Sequence, residues 1–230
     1  MLGEDSAVAL GHTDQPVLPV VLLLSLAQSP QRMTLVFGGD VIPHEPLKTV
    51  AAQRADGGNN EGWDHLLAPL APVMADADFT IVNLEAPVVT VKKPESGEFL
   101  FSGTPALLHA LKRTGVDVAT FANNHCLDQH REGITSTRAY LDEAGLRSAG
   151  AASSAEAAWT PLVLEKNELR IALVPFTRFL NGFNNKKDDA LPHVPVLQYD
   201  YEPIGGSRTQ AQVTDLLRTT ASQVDAVIVF

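Results

Sequence analysis

Apolar and polar positions along the chain form three short runs rich in β-branched and aromatic residues, each ending in a polar cluster. Thr34-Leu35-Val36-Phe37 leads into Gly38-Gly39-Asp40, and Phe79-Thr80-Ile81-Val82 leads into Asn83-Leu84-Glu85. Val116 to Phe121 leads into Asn123, Asn124, His125 and Asp128. Such runs predict strands. The third cluster has two readings. Asn and Asp are turn and cap residues, and Asp128 stands just before a helical pattern, so the cluster can be ordinary strand-to-helix punctuation. It can equally be a site, because ligands of open α/β sheets bind outside the carboxyl ends of the strands. The recurrence of the same residue types at two other strand ends favours the site.

Between the strands the period changes to that of helices. Trp63, Leu66, Leu67, Leu70 and Val73 form a helical stripe that Pro69 and Pro72 break into short pieces. Residues 86–104 read as an exposed excursion with an edge strand at Phe99–Phe101. A helix is predicted from Thr104 as N-cap, with Pro105 at its first position, Leu107, Leu108 and Leu111 buried, and a stop at Gly115. Another runs from Gln129 to Ala144, burying Ile134 and Leu141 and ending at Gly145. Leu162–Glu165 and Leu169–Val174 flank a short Lys166-Asn167-Glu168 loop and predict a hairpin. Residues 178–207 show no sustained period and read as a functional lid, with Tyr199, Asp200 and Tyr201 as contact candidates and His193 as a solvated loop residue. A last helix, 209–222, precedes a buried-type strand at Asp225–Phe230.

Composition narrows the class. The chain has 230 residues and is 45% hydrophobic, enough for one large α/β domain over residues 31–230. Seventeen basic and 27 acidic residues give a net charge of −10, with no long basic run, so nucleic acid is not expected as a partner. The single cysteine, Cys126, excludes an internal disulfide framework and a Cys-cluster metal site. Val17 to Ala27 has the length of a signal-peptide h-region and ends in the small-x-small sequence Ser25-Leu26-Ala27. The stretch before it holds Glu4, Asp5 and Asp14 and no basic residue, so residues 1–30 read either as an export leader, giving an envelope location, or as a mis-assigned start, giving a cytoplasmic one.

Taken together, GGDVIPH at 38–44, NLEAPV at 83–88, FANNHCLD at 121–128 and the following EGITSTRAYLDEAG and GA resemble the CapA-type capsule-synthesis proteins. That family is associated with poly-γ-glutamate capsules and with the calcineurin-like metallophosphoesterase superfamily. The resemblance runs from about Thr34 to Phe230. It implies an α/β fold in which a two-sheet β-sandwich is flanked by helices, with two divalent metal ions (Mn, Mg, Fe or Zn) at strand ends. Carried over by motif, Asp40, Glu85 and Asn124 become metal ligands. His125 becomes a catalytic group facing the substrate, with Asp128 orienting it. Hard cations prefer carboxylate and amide oxygens, and a pair of them can hold a phosphoryl group while activating water.

Two departures stand out. The superfamily places a histidine two residues after its first aspartate, where this chain has Ile42, so His44 is a loose substitute. Further family histidines would follow the strand that ends at Phe230, so the fold is expected to be incomplete at its carboxyl terminus and to hold about half of a dinuclear site. Two functions follow from the resemblance. One is a metal-dependent phosphoesterase-like hydrolase acting on a phosphate ester in capsule or poly-γ-glutamate synthesis. The other is a non-catalytic envelope factor that binds or guides an anionic polymer, working with membrane-associated capsule machinery.

Overall fold

A computed structural model describes residues 31–55, 57, 61–91, 99–185, 188–198 and 205–230. The leader, Lys92-Lys93, Lys186-Lys187 and the contact candidates Tyr199, Asp200 and Tyr201 lie outside the described residues. Four strands, β1 (Leu35–Val41), β2 (Phe79–Leu84), β3 (Val118–Phe121) and β4 (Arg147–Gly150), make one parallel sheet in sequential order. Helices fill the crossovers, as parallel connections require. The first crossover carries α1 (Glu45–Ala52), α2 (Trp63–Leu67), a 3₁₀ turn at Ala68–Leu70 and α3 (Ala71–Met74). The second carries α4 (Pro105–Thr114) and the third α5 (His130–Glu143). Proline segments the first crossover as the sequence predicts, since Pro69 and Pro72 sit at the openings of the 3₁₀ turn and of α3.

Next come α6 (Ala155–Ala158), the antiparallel hairpin β5 (Leu162–Lys166) and β6 (Leu169–Val174), β7 (Leu197–Gln198), β8 (Arg208–Thr209), α7 (Gln210–Ala221) and β9 (Ala226–Val229). β9 pairs in parallel with β6 to complete a second sheet in the order β5-β6-β9. The hairpin turns on Asn167 and Glu168 with φ of 51° and 66°. Positive φ at both central residues matches the right-handed twist of the flanking strands. Thr209 and Gln212 close a capping box at the start of α7.

The fold is an α/β sandwich of two sheets flanked by helices. One face of the first sheet, through Ile81 and Val118, packs on Leu164 and Leu173 of the second. The opposite face, through Val82, Leu84, Ala119 and Phe121, packs on Leu107, Leu108 and Leu111 of α4 and on Ile134 and Leu141 of α5. Neighbouring strand residues serve opposite faces, so a parallel sheet covered on both sides is apolar almost throughout. Each buried Leu or Ile here contributes about 1.5–3 kcal/mol. Gly115 (φ 108°) ends α4 in the left-handed region. At Gly150 (φ 111°) a Cβ would stand 2.4 Å from the Phe121 carbonyl oxygen, so β4 can close on β3 only with glycine there.

Several expectations change. β1 and β2 run beyond the apolar runs that predicted them and take in Asp40 and Asn83. Phe99–Phe101 forms no strand; the excursion is instead tied down by a bridge between Val88 and Gly103. α1 and β4 carry too little period to be predicted. The buried-type pattern of β9 proves half-exposed, with Val229 at 45%, because β9 pairs on one side only among the described residues. His193 is buried, not solvated. It bridges to Ala152 through the backbone, and its Nδ1 lies against the Leu191 carbonyl. Among the described residues, no helix is long and apolar enough to cross a membrane.

Candidate functional site

The ends of β1 and β2 are brought level by a bulge. The register slips between Phe37 and Asp40, so that Asp40 pairs with Asn83 and Val41 with Leu84. A bulge adds a residue to one strand and re-aims the side chain that follows. As a result the Asn83 amide nitrogen donates to Asp40 Oδ1 at 2.9 Å and also to Glu85 Oε2. Glu85 is held from the other side by its backbone N–H, which donates to the Val41 carbonyl at 3.0 Å. Two carboxylates thus converge on one amide. Burial pushes the Glu85 carboxyl above its ordinary value, the Asn83 hydrogen bond opposes this, and the charge of Asp40 raises it further.

The end of β3 is built differently. Asn123 is buried and engaged on both amide atoms: its nitrogen donates to the Leu84 carbonyl (2.8 Å) and Asn83 Oδ1 (3.0 Å), and its oxygen accepts from the His125 N–H (3.1 Å). Asn123 therefore ties the two strand ends together and shapes the turn that presents His125. His125 Nδ1 lies 2.7 Å from Asp128 Oδ2, which also accepts the Phe101 backbone N–H at 2.7 Å. Asp128 lies in a turn, its N–H donating to the His125 carbonyl at 3.0 Å, but it does not cap α5, whose N-cap is Gln129. Burial raises the Asp128 carboxyl, opposed by the Phe101 N–H and by His125. Its other oxygen, Oδ1, is buried and has no hydrogen-bond partner among the described residues. The Phe101 ring packs on the His125 imidazole at 4.5 Å between centroids, and His44 also meets Phe101 edge-on at 5.6 Å.

Asn124 faces the 178–207 segment, where its amide nitrogen donates to Asn181 Oδ1 at 3.0 Å. The Asn181 amide nitrogen also comes within 3.4 Å of His125 Nδ1. Three residues that sequence reasoning left without a role therefore organise the site. Asn83 had a detectable signal, since strand alternation puts it on the same side as Glu85. Phe101 and Asn181 had none, because loops bring them in from 24 and 56 residues away from His125. Cys126 is fully buried and desolvation pushes its thiol far above the usual range, consistent with a packing role.

The Asn83 amide nitrogen bonds one oxygen from each of Asp40 and Glu85, so the two carboxylates stand close enough to share a cation. That fits one hard divalent ion. Among the described residues, no three His, Cys, Asp or Glu side chains converge on one point, so the fit extends to a carboxylate pair and no further.

Comparison with known proteins places this geometry in context. The family model for the bacterial capsule synthesis protein PGA_cap matches residues 34–230. The capsule biosynthesis protein CapA of Bacillus anthracis is 24% identical over 151 residues, covering 64% of this chain and 35% of that protein. Two uncharacterized proteins of Sinorhizobium fredii, y4sH and y4uA, are each 29% identical over 147 residues, covering 61% of this chain and 29% of theirs. The chain thus aligns to about a third of the length of these relatives. Among solved structures, the NAD nucleotidase NadN of Haemophilus influenzae matches with a TM-score of 0.42 and 13% identity, over 73% of this chain and 28% of that one. A likeness of that size carries no argument about chemistry.

Proposed function

The chain belongs to the bacterial capsule synthesis protein family PGA_cap, and on that premise we propose that it is a metal-dependent phosphoesterase-like hydrolase of capsule or poly-γ-glutamate biosynthesis. The observation that carries this reading is the convergence of Asp40 and Glu85 on Asn83 beside the His125–Asp128 pair. Asp40 and Glu85 would hold a divalent cation; the ion, when bound, offsets phosphoryl charge and makes water a better nucleophile. Asp128 Oδ2, 2.7 Å from Nδ1, orients the imidazole so that Nε2 would serve the substrate. The Phe101 ring and N–H hold imidazole and carboxylate in one orientation. A protonated His125 then supplies a proton to the leaving oxygen, a role worth on the order of 10² to 10⁴ in rate. Asn181 reaches the same ring from the loop side and accepts a hydrogen bond from the Asn124 amide.

The test is hydrolysis of simple phosphate esters with and without Mn²⁺. Cation-dependent turnover supports the hydrolase. Cation binding without turnover, together with retention of an anionic polymer, turns the reading to that of a non-catalytic envelope factor. An envelope location is part of the proposal, resting on the apolar run Val17 to Ala27. Amino-terminal sequencing of the protein from its native host is expected to begin near Gln28, and an intact Met1 contradicts export.

A further inference from the structure

Behind Asp40, the face of β1 that meets the helices opens into a pocket of about 240 Å³. Leu47 of α1, Trp63 and Leu67 of α2, and Leu107 and Leu111 of α4 wall it, and Asp40 is the one charged residue on its lining among the described residues. Gly38 sets its floor. A Cβ there would stand 2.9 Å from Val82 Cγ1 and 3.1 Å from Met74 Cε, so a larger residue would intrude on this space. The mouth is apolar too, with Ile42, Leu47 and Leu70 left 38%, 43% and 44% exposed.

Size and lining define what fits. A dry apolar cavity of roughly 150 Å³ takes up benzene, so this pocket suits one ring or a linear chain of about six carbons. Apolar walls with one convergent polar group are the general form of a small-molecule site, whereas leaving this much aliphatic surface in water is unfavourable. The polar group also fixes where the rest of the ligand lies. Asp40 lines the pocket and, through Asn83, belongs to the acid pair, so the pocket and the acid pair meet at the carboxyl end of β1.

We propose that this pocket binds the apolar alcohol arm of the phosphate ester, a linear or single-ring hydrocarbon of about six carbons. The inference rests on the hydrolase reading for the head group only; the pocket can be tested without it. Two titrations of the full chain separate the two ideas. In the first, calorimetry with Mn²⁺ present compares methyl, butyl, hexyl and octyl phosphate. Affinity is expected to rise roughly fourfold per methylene up to about six carbons, the factor that ~0.8 kcal/mol per buried CH₂ implies, and then to level off. In the second, n-hexanol is added without any cation, and amide resonances that move are expected to cluster on Leu47, Leu67 and Leu111.

Leu47→Trp and, independently, Leu70→Trp should fill the mouth, flatten the chain-length series and erase the hexanol shifts. Both sites are part-exposed, so folding, checked by circular dichroism, should survive in at least one. Val50→Trp puts the same ring on α1 at a 40% exposed position off the lining and should keep the series intact. Equal affinity for methyl and hexyl phosphate, or hexanol shifts away from these residues, overturns the inference while leaving the hydrolase reading untouched. Hexanol shifts at the pocket that Leu47→Trp erases, with no alkyl phosphate bound in Mn²⁺, uphold the pocket and sink the reading of the acid pair.

Discussion

The two sheets of the sandwich each contain parallel strands and differ in how those strands end. In the first sheet, β1, β2 and β3 lead to Asp40, Glu85, Asn123 and His125. In the second, β6 leads through Pro175 to Phe176. There the Phe176 N–H donates to the Phe230 carbonyl at 3.2 Å, and Phe176 packs on Trp159 at 6.0 Å between ring centroids. Parallel order alone creates a place for a site. What marks the first sheet's strand ends as the candidate is polar side chains that the local backbone does not fully satisfy: two converging carboxylates and a buried Asp128 oxygen without a partner among the described residues.

That contrast can be broken most severely at His125. His125→Ala should lower turnover on a phosphate ester by about 10² to 10⁴ while keeping bound cation, as read by kinetics beside elemental analysis. Phe176→Ala, at the corresponding end of the second sheet, should cost stability and leave the rate within a few-fold of wild type. The next effect lies between the sheets. Leu173 is fully buried against the first sheet, and Leu173→Ala should destabilise by about 2–5 kcal/mol in urea melts, with cation affinity unchanged in the protein that remains folded.

The smallest effect is expected at the opposite end of the strands from the site. Asp78 accepts the Thr34 N–H at 2.7 Å and pairs with Lys166 of the hairpin at 3.3 Å. The Thr34 hydrogen bond holds its carboxyl below the ordinary 3.8, with Lys166 adding to the effect. A carboxylate with a depressed pKa stabilises the fold above its unfolded value and loses that contribution as pH falls through the folded value. Asp78→Asn should therefore lower Tm slightly at neutral pH, with the difference from wild type disappearing below pH 3.8. A difference that persists in acid would assign Asp78 to packing.

Much of this contrast was legible in the sequence, because each signal was local. Gly115 and Gly145 end helices with positive φ, Thr209 with Gln212 opens one, and Lys166-Asn167-Glu168 turns a hairpin, all within a few residues of the pattern that predicted them. The three polar strand ends were legible for the same reason. Other features depend on distance in the chain. The bulge that aligns Asp40 with Asn83 arises from pairing between strands 43 residues apart, so Asn83 read as motif and not as bridge. Asn181 reaches Asn124 across 57 residues of sequence. His193, flanked by Pro192 and Pro195 one and two residues away, had the local look of a loop, and the bridge to Ala152 helps take it out of solvent.

If Asp40 and Glu85 seat a hard divalent cation, calorimetric titration of Mn²⁺ into the protein at neutral pH reads that seat without any substrate. The account predicts a saturable site in the wild type, weakened at least tenfold in Asp40→Asn and in Glu85→Gln and lost in the double variant, since each carboxylate supplies charge that an amide does not. Equal Mn²⁺ binding by wild type and double variant, or no binding by either, would contradict it.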